Sequence, residues 1–397
     1  MFRRRVFYIP GFDPIPPRRY RELFRREGAA QAAISGYALT PATREDETGF
    51  GWAARAQMDG EAGHAEFEVL VWADIVQGSM RGSVGGTYLA MIRTAAAYIG
   101  SGALWRLMRL RRGPVLTALY PVAVLILQAI AAALAGAGLA RGVAALGAPW
   151  WLAAILGAAM FWAVLQLWRR LDGRIFAYYL MHDYAFTAAQ GGAYPPALCA
   201  RLDAFAERIE ASARSGDWDE VLVVGHSSGA YLAVSVLARI AREAGGLPGG
   251  IALLTLGHVV PMASFLPRAD ALRRDLHDLA RAAPAWVDVT APGDPCCFAL
   301  CDPVAVSGCA PKGQAEGRPA PLVISAAFSR SMAPERLKAL RWRFFRLHFQ
   351  YLCAFEQPGD YDYFRITAGP QTLAERFAGR THSPGRIAAP VNRWSWP

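Results

Sequence analysis

Residues 220–233 read Glu-Val-Leu-Val-Val-Gly-His-Ser-Ser-Gly-Ala-Tyr-Leu-Ala. Four apolar residues, Val221 to Val224, form a compact strand of the kind buried on both faces of a sheet. A run of small residues follows, and Ala230 opens a helix rich in Ala, Val and Leu that extends to Glu243. The turn between strand and helix is Gly225-His226-Ser227-Ser228-Gly229, a G-x-S-x-G pattern in the strand-to-helix setting that gives the pattern its meaning. Side chains at 225 and 229 would collide with neighbouring backbone if Ser227 is lifted on a tight turn. The helix that follows aims its first N–H groups and positive dipole end at the same spot. Ser227 is therefore the candidate nucleophile.

The alternation continues on both sides. Upstream, Val6–Ile9 reads as a strand ending in Pro10-Gly11, and Arg18–Ile34 as a helix. Trp52–Met58 and Ala65–Trp72 read as two strands joined by a turn at 59–63, and Thr87–Arg112 as an amphipathic helix. Downstream come a helix over Ala197–Arg214, a strand at Ile251–Leu256 and a helix over Ala269–Ala282. Strands at Ala285–Thr290 and Leu322–Phe328 follow, then a long helix over Pro334–Phe355. This order predicts an α/β fold with a mostly parallel, doubly wound sheet covered on both faces.

The chain has 397 residues, 54% hydrophobic and 19% charged, with mean hydropathy +0.18. That balance excludes disorder, collagen and a disulfide-stapled mini-protein. Residues 113–140 and 142–168 contain no Asp, Glu, Lys, Arg or His. Each window exceeds the ~20 residues that cross a bilayer core, and there is no third, so a polytopic transporter is excluded. The spans are placed at 115–135 and 149–168. Arg106, Arg109, Arg111 and Arg112 precede the pair, Arg169, Arg170 and Arg174 follow it, and Arg141 stands alone in the turn. Arginine asymmetry of this kind puts both ends on the cytoplasmic side. Met1 to Ile9 has basic residues but too short an apolar run for a signal peptide. The expected location is a membrane of bacterial inner-membrane type, crossed twice, with both termini cytoplasmic.

The chain thus divides into residues 1–104, a hairpin insertion at 105–175, and residues 176–397. Net charge is +10, and only Lys312 and Lys338 of the 42 Lys and Arg residues are lysines. The positive balance suits an anionic membrane surface; no nucleic-acid-binding pattern is present. Four of six cysteines, Cys296, Cys297, Cys301 and Cys309, are spaced C-C-x3-C-x7-C. That is no familiar zinc pattern, and no metal is expected.

The Ser227 turn and the strand order around it resemble the α/β-hydrolase superfamily of serine esterases and lipases, over nearly the whole chain apart from the hairpin. The resemblance implies a Ser-His-acid triad, an acyl-enzyme and no cofactor. It places an oxyanion-binding loop after the first strand, at Ile9-Pro10-Gly11-Phe12-Asp13, with the amides of Phe12 and Ser228 as donors. The acid should follow a later strand, where Asp294 lies just past 285–290; Asp302 is the reserve and Asp288 lies inside the strand. The base should come after the acid, as His348 among aromatic residues or His382 in a tail that looks flexible. The hairpin interrupts the fold where family members carry caps over the site. A lipid or other apolar acyl ester is therefore the expected substrate, and membrane lipid the expected partner. An amidase or acyltransferase shares the same chemistry, and an inactive membrane-tethered scaffold is the alternative of another class.

Overall fold

A computed structural model describes residues 1–45, 48–311 and 321–396. Eight strands form one sheet: β1 (Phe2–Ile9), β2 (Ala38–Ala42), β3 (Phe50–Met58), β4 (Glu61–Val69), β5 (Glu220–His226), β6 (Ile251–Leu256), β7 (Ala285–Thr290) and β8 (Leu322–Ser325). Their spatial order is β2-β3-β4-β1-β5-β6-β7-β8. The sheet is mixed: β4, β1, β5, β6, β7 and β8 run parallel to one another, whereas β3 is antiparallel to both β2 and β4. The fold is α/β, and the sheet takes four strands from each side of the apolar hairpin.

The pleat sorts the core. Val6 and Tyr8 of β1, Leu222 and Val224 of β5 and Leu254 of β6 join one apolar cluster with Phe24, Phe67 and Phe364. Phe7, Ile9, Val221, Val223 and Leu253 point to the other face, beneath the helices Pro196–Arg214, Ser228–Glu243 and Asp270–Ala282. Alternation on two covered faces is why these strands read as continuous apolar runs. β1 is longer than its apolar part. Arg4 and Arg5 are fully buried within it, because each finds carboxylates on neighbouring strands. Arg5 meets Glu66 at 2.9 Å and Glu68 at 2.7 Å, and Arg4 meets Glu220 at 2.6 Å. Buried charge persists only where it is paired in this way.

Several elements differ from expectation. The helix expected over Thr87–Arg112 is two, Val84–Gly100 and Ala103–Leu110, broken where Gly102 takes a φ of 73°. The helix expected over Pro334–Phe355 is three short pieces, Pro334–Leu340, Phe344–His348 and a 3₁₀ turn at Phe349–Leu352. β8 stops at Ser325. Strand β2 and the helix Ala177–Ala188 were not foreseen. β2 is a five-residue edge strand containing Pro41, and such a sequence carries little strand signal.

Helices Arg112–Ala145 and Trp150–Arg170 are long and apolar enough to cross a membrane. Only 22% and 17% of their most apolar stretches are covered by protein, so they are not core helices. They pack antiparallel at two glycines: a Cβ on Gly136 would lie 2.6 Å from the Gly157 carbonyl oxygen. That register sets Trp168 level with Leu125, since each lies eleven residues from its glycine. The expected span 115–135 lies within the first of these helices and the expected span 149–168 coincides with most of the second. Residues 112–121 belong to the foot of the helix, where Thr117 Oγ1 donates to the Pro295 carbonyl at 2.9 Å.

Candidate active site

Ser227 sits at the tip of β5 with φ 58° and ψ −120°. A non-glycine residue there carries backbone strain of order 1–3 kcal/mol, which persists only where surrounding structure imposes it. The glycines impose it. A Cβ on Gly229 would lie 2.0 Å from the Ile9 carbonyl oxygen, and one on Gly225 would lie 2.5 Å from the Gly229 oxygen. β1 and the turn thus approach closer than any side chain permits. Residues 220–226 and 228–238 are all buried, and Ser227 alone in that stretch keeps accessible surface.

The loop after β1 lies against this serine. A Cβ on Gly11 would stand 3.0 Å from Ser227 Cβ and 3.4 Å from its Oγ. Four contacts hold the loop. Trp72 Nε1 donates to the Pro10 oxygen at 2.9 Å. Asp13 accepts from the Ile15 amide at 2.9 Å and from the Tyr20 hydroxyl at 2.7 Å. The Tyr179 hydroxyl donates to the Phe12 carbonyl. The Phe12 and Ser228 amides, by contrast, donate to no group among the described residues. Buried backbone N–H groups are rarely left unpaired, so both amides remain available to a further acceptor.

The expected acid and base meet. Asp294 lies on the loop past β7, and His348 closes the short helix Phe344–His348; His348 Nδ1 and Asp294 Oδ2 are 2.7 Å apart. Tyr351 OH donates to the same oxygen at 3.0 Å and the Cys296 amide to Oδ1 at 2.9 Å. Burial pushes the Asp294 carboxyl up. The His348 charge, the His348 hydrogen bond and the Cys296 amide more than offset it, so the group is held below the usual carboxylate range. With Nδ1 turned to the Asp294 carboxylate, Nε2 is the ring nitrogen left to face a reacting group. That Nε2 is buried and has no partner among the described residues. It is not hydrogen-bonded to Ser227 Oγ here; catalytic hydrogen bonds often tighten only when substrate arrives. The imidazole is wedged against Gly257, where a Cβ would lie 3.0 Å from His348 Cε1. Its backbone is tied to the nucleophile turn, since His226 Nε2 donates to the His348 carbonyl at 3.0 Å. Burial lowers the His226 pKa to about 3, so that ring stays neutral.

The reserve residues have other work. Asp302 caps the helix Pro303–Val306 and pairs with Arg386 at 2.6 Å. Asp288 accepts from Thr255 at 2.7 Å inside the sheet. His382 is not in a free tail: its Nδ1 accepts from the Val323 amide at 3.1 Å, beside β8. All six cysteines are free thiols. Asp294, Cys296 and His348 are close enough together to hold a cation. However, burial raises the Cys296 thiol well above its ordinary range and His348 Nδ1 is spent on Asp294, so the donors fit a hydrogen-bonded triad better than a ligand set.

Sequence reasoning missed the cover. The helix Ala177–Ala188, which follows the second apolar helix after one short turn of helix at Asp172–Ile175, packs Tyr179 against Phe12 and Phe345 at ring distances of 6.2 and 6.1 Å. Phe176 packs on Phe345 at 5.6 Å. The polar and aromatic run Tyr178-Tyr179-Leu180-Met181-His182-Asp183-Tyr184 was its signal, overshadowed by the apolar helix before it. No protein-family model, no curated protein and no solved structure matches the chain.

Proposed function

We propose that this chain is a membrane-anchored serine hydrolase of α/β-hydrolase type that cleaves carboxylic esters, its substrate a lipid or other apolar acyl ester. The observation that carries the reading is the conjunction at Ser227. A strained, accessible serine lies between two unpaired amides, and an Asp294–His348 pair beside it keeps an open Nε2. Each feature has an ordinary structural use alone; together they supply nucleophile, base, orienting acid and oxyanion donors.

In the proposed cycle His348 Nε2 takes the Ser227 proton as Oγ attacks the ester carbonyl carbon. The carbonyl electron pair moves onto oxygen, which the Phe12 and Ser228 amides receive; pre-aimed donors of this kind are worth about 3 kcal/mol each. Collapse breaks the ester C–O bond, and the alcohol leaves with the proton held by His348. Water, deprotonated by the same imidazole, then attacks the acyl-enzyme and releases the acid. Asp294 steadies the imidazolium throughout.

The hairpin supports the apolar substrate. Its foot reaches the acid loop, where Thr117 meets Pro295 and Arg111 Nε donates to the Ala299 oxygen at 2.9 Å. The segment just past it covers the Phe12 loop. A site so close to lipid favours substrates that partition there. The arginine asymmetry puts the body and both termini on the cytoplasmic side. The purified full chain in detergent should hydrolyse nitrophenyl esters with a preference that rises with acyl length, and Ser227→Ala should abolish turnover. Turnover of short water-soluble esters alone, indifferent to added lipid, contradicts the substrate reading, and no turnover by folded protein favours an inert scaffold.

A further inference from the structure

The helix Val84–Gly100 has two packing faces, and protein covers one of them. Val84, Thr87, Thr94 and Tyr98 are buried. Val84 shares an apolar cluster with Tyr178 and Met181, and Tyr98 shares another with Ala188. This inner face therefore lies along the helix Ala177–Ala188 that covers the site. The Thr87 hydroxyl stands 3.3 Å from His182 Nε2, and the Tyr98 hydroxyl donates to the Met262 carbonyl at 2.9 Å. On the other face Leu89, Ile92, Ala96 and Ile99 follow the three-and-four spacing of one helical stripe. All four are exposed, Ile92 to 61%.

The next helix continues the pattern. Ala103, Leu107 and Leu110 turn inward, whereas Trp105 is 63% exposed and Arg109, one turn on, is exposed as well. Tryptophan beside arginine is the pairing of a membrane–water interface. Open apolar side chains of this size are scarce elsewhere. Outside residues 84–176, they are Met1, Ile15, Ile34 and Trp342 among the described residues.

Two observations identify what covers the stripe. The first is continuity with the apolar hairpin. The Tyr88 hydroxyl donates to the Leu125 carbonyl at 2.9 Å, and Ile126 and Leu127 just beyond are exposed, so the two open apolar surfaces meet at that contact. The second is charge. Residues 75–171 contain nine arginines and no Asp or Glu, and Arg93, Arg109, Arg112, Arg169 and Arg170 are all exposed. An apolar surface edged by arginines without an acid among them suits an anionic leaflet. Two copies paired through this face would set arginine against arginine.

We propose that the outer face of the helices Val84–Gly100 and Ala103–Leu110 is a second membrane-binding surface, with Leu89, Ile92, Ile99 and Trp105 in lipid and Arg93 and Arg109 on the head groups of anionic lipid. The proposal rests on the hairpin's crossing the bilayer and not on the hydrolase chemistry. Since the inner face of the same helix carries Ala177–Ala188, this surface sets the cover of the Ser227 site one helix layer, about 10 Å, from lipid.

The test reads lipid contact position by position. Leu89→Cys and Ile92→Cys are labelled with an environment-sensitive nitrobenzoxadiazole dye in the full-length chain. The chain is then placed in vesicles of phosphatidylcholine and phosphatidylglycerol, and wild type treated alike gives the background from native thiols. Ile34→Cys is the water-facing control, because Ile34 and Leu89 are equally exposed at 46%; Leu134→Cys is the control for the hairpin. Dye at 89 and 92 should shift to the blue and be quenched by doxyl-labelled lipid, as at 134 and unlike at 34. Doxyl-phosphatidylglycerol should quench dye at 92 about fivefold more than its bulk share predicts, and Arg93→Gln with Arg109→Gln should bring that excess near one. Quenching at 134 with 89 and 92 matching 34 overturns the second surface and leaves the hairpin in place. No quenching at 134 either sinks the membrane reading of both. A blue shift at 89 and 92 that doxyl lipid does not quench means that protein covers the face, and equal quenching by the two doxyl lipids removes the anionic partner; each contradicts the proposal.

Discussion

Asp294 and Asp183 show how two carboxyls are set apart by their surroundings. Asp294 has donors on both oxygens and is held below the usual range. Asp183 has none and is held up at about 7. Removing the Tyr351 hydroxyl, in Tyr351→Phe, takes one donor from the carboxylate that orients His348. A hydrogen bond to a charged group is worth about 1.5–3 kcal/mol, so kcat should fall by about tenfold or more with KM little changed, as steady-state kinetics can check. The sign for Asp183 is opposite. An acid that binds its proton more tightly folded than unfolded destabilises the fold increasingly as pH rises from about 4 to about 7. Asp183→Asn should therefore raise the thermal midpoint at pH 8 and leave it nearly unmoved at pH 4. A midpoint lowered at pH 8 would mean that the carboxylate has a stabilising partner after all. The strained turn at Ser227 and the contact between Asp294 and His348 were anticipated, the first from its glycines and the second from the order along the chain that the resemblance implies. Tyr351, His226 and Asp183 were not, because hydrogen bonds and enclosure between distant segments leave no spacing to read.

At the scale of elements, the strand–turn–helix around Ser227 was the most legible part of the chain, since glycine positions and apolar run point the same way. Its geometry makes a sharp prediction. Gly229→Ala would place a methyl 2.0 Å from the Ile9 carbonyl oxygen, and backbone at that distance cannot yield as a flexible side chain would. Overpacking of this kind costs of order 3 kcal/mol, which should appear as a lower denaturation midpoint together with lost activity. The His348 helix was harder to read. Residues 334–355 look like one helix by composition, but the chain bends after Leu340, with Arg343 outside helical geometry at φ −103° and ψ 62°. The bend brings His348 to Asp294, which a continuous helix has no reason to do. Tertiary demand outweighed local propensity there, whereas the expected helix before the hairpin is broken by local chemistry, at Gly102 with its φ of 73°.

For the whole molecule, the hydrophobic excess resolves into a doubly covered sheet and an apolar hairpin whose outer surface is bare. Leu134 is 70% exposed and Trp150 81%, values suited to lipid contact. Leu146, 88% exposed at the turn between the two helices, provides a reporter of orientation. A cysteine placed there (Leu146→Cys) should react with a membrane-impermeant maleimide in intact cells, whereas Cys199 on the body should react only after lysis. The reverse pattern would invert the proposed topology. Close packing at Gly136 and Gly157 should likewise fail in Gly136→Leu, with reduced thermal stability in detergent.

The central claim is that Ser227 is a living nucleophile, and covalent labelling tests it most directly. The purified full-length chain, treated with a neutral fluorophosphonate and digested, should carry one adduct, located by mass spectrometry on Ser227. Labelling should vanish in Ser227→Ala and fall steeply in His348→Ala. Correctly folded wild type that takes up no probe, or takes it up on another residue, would contradict the account.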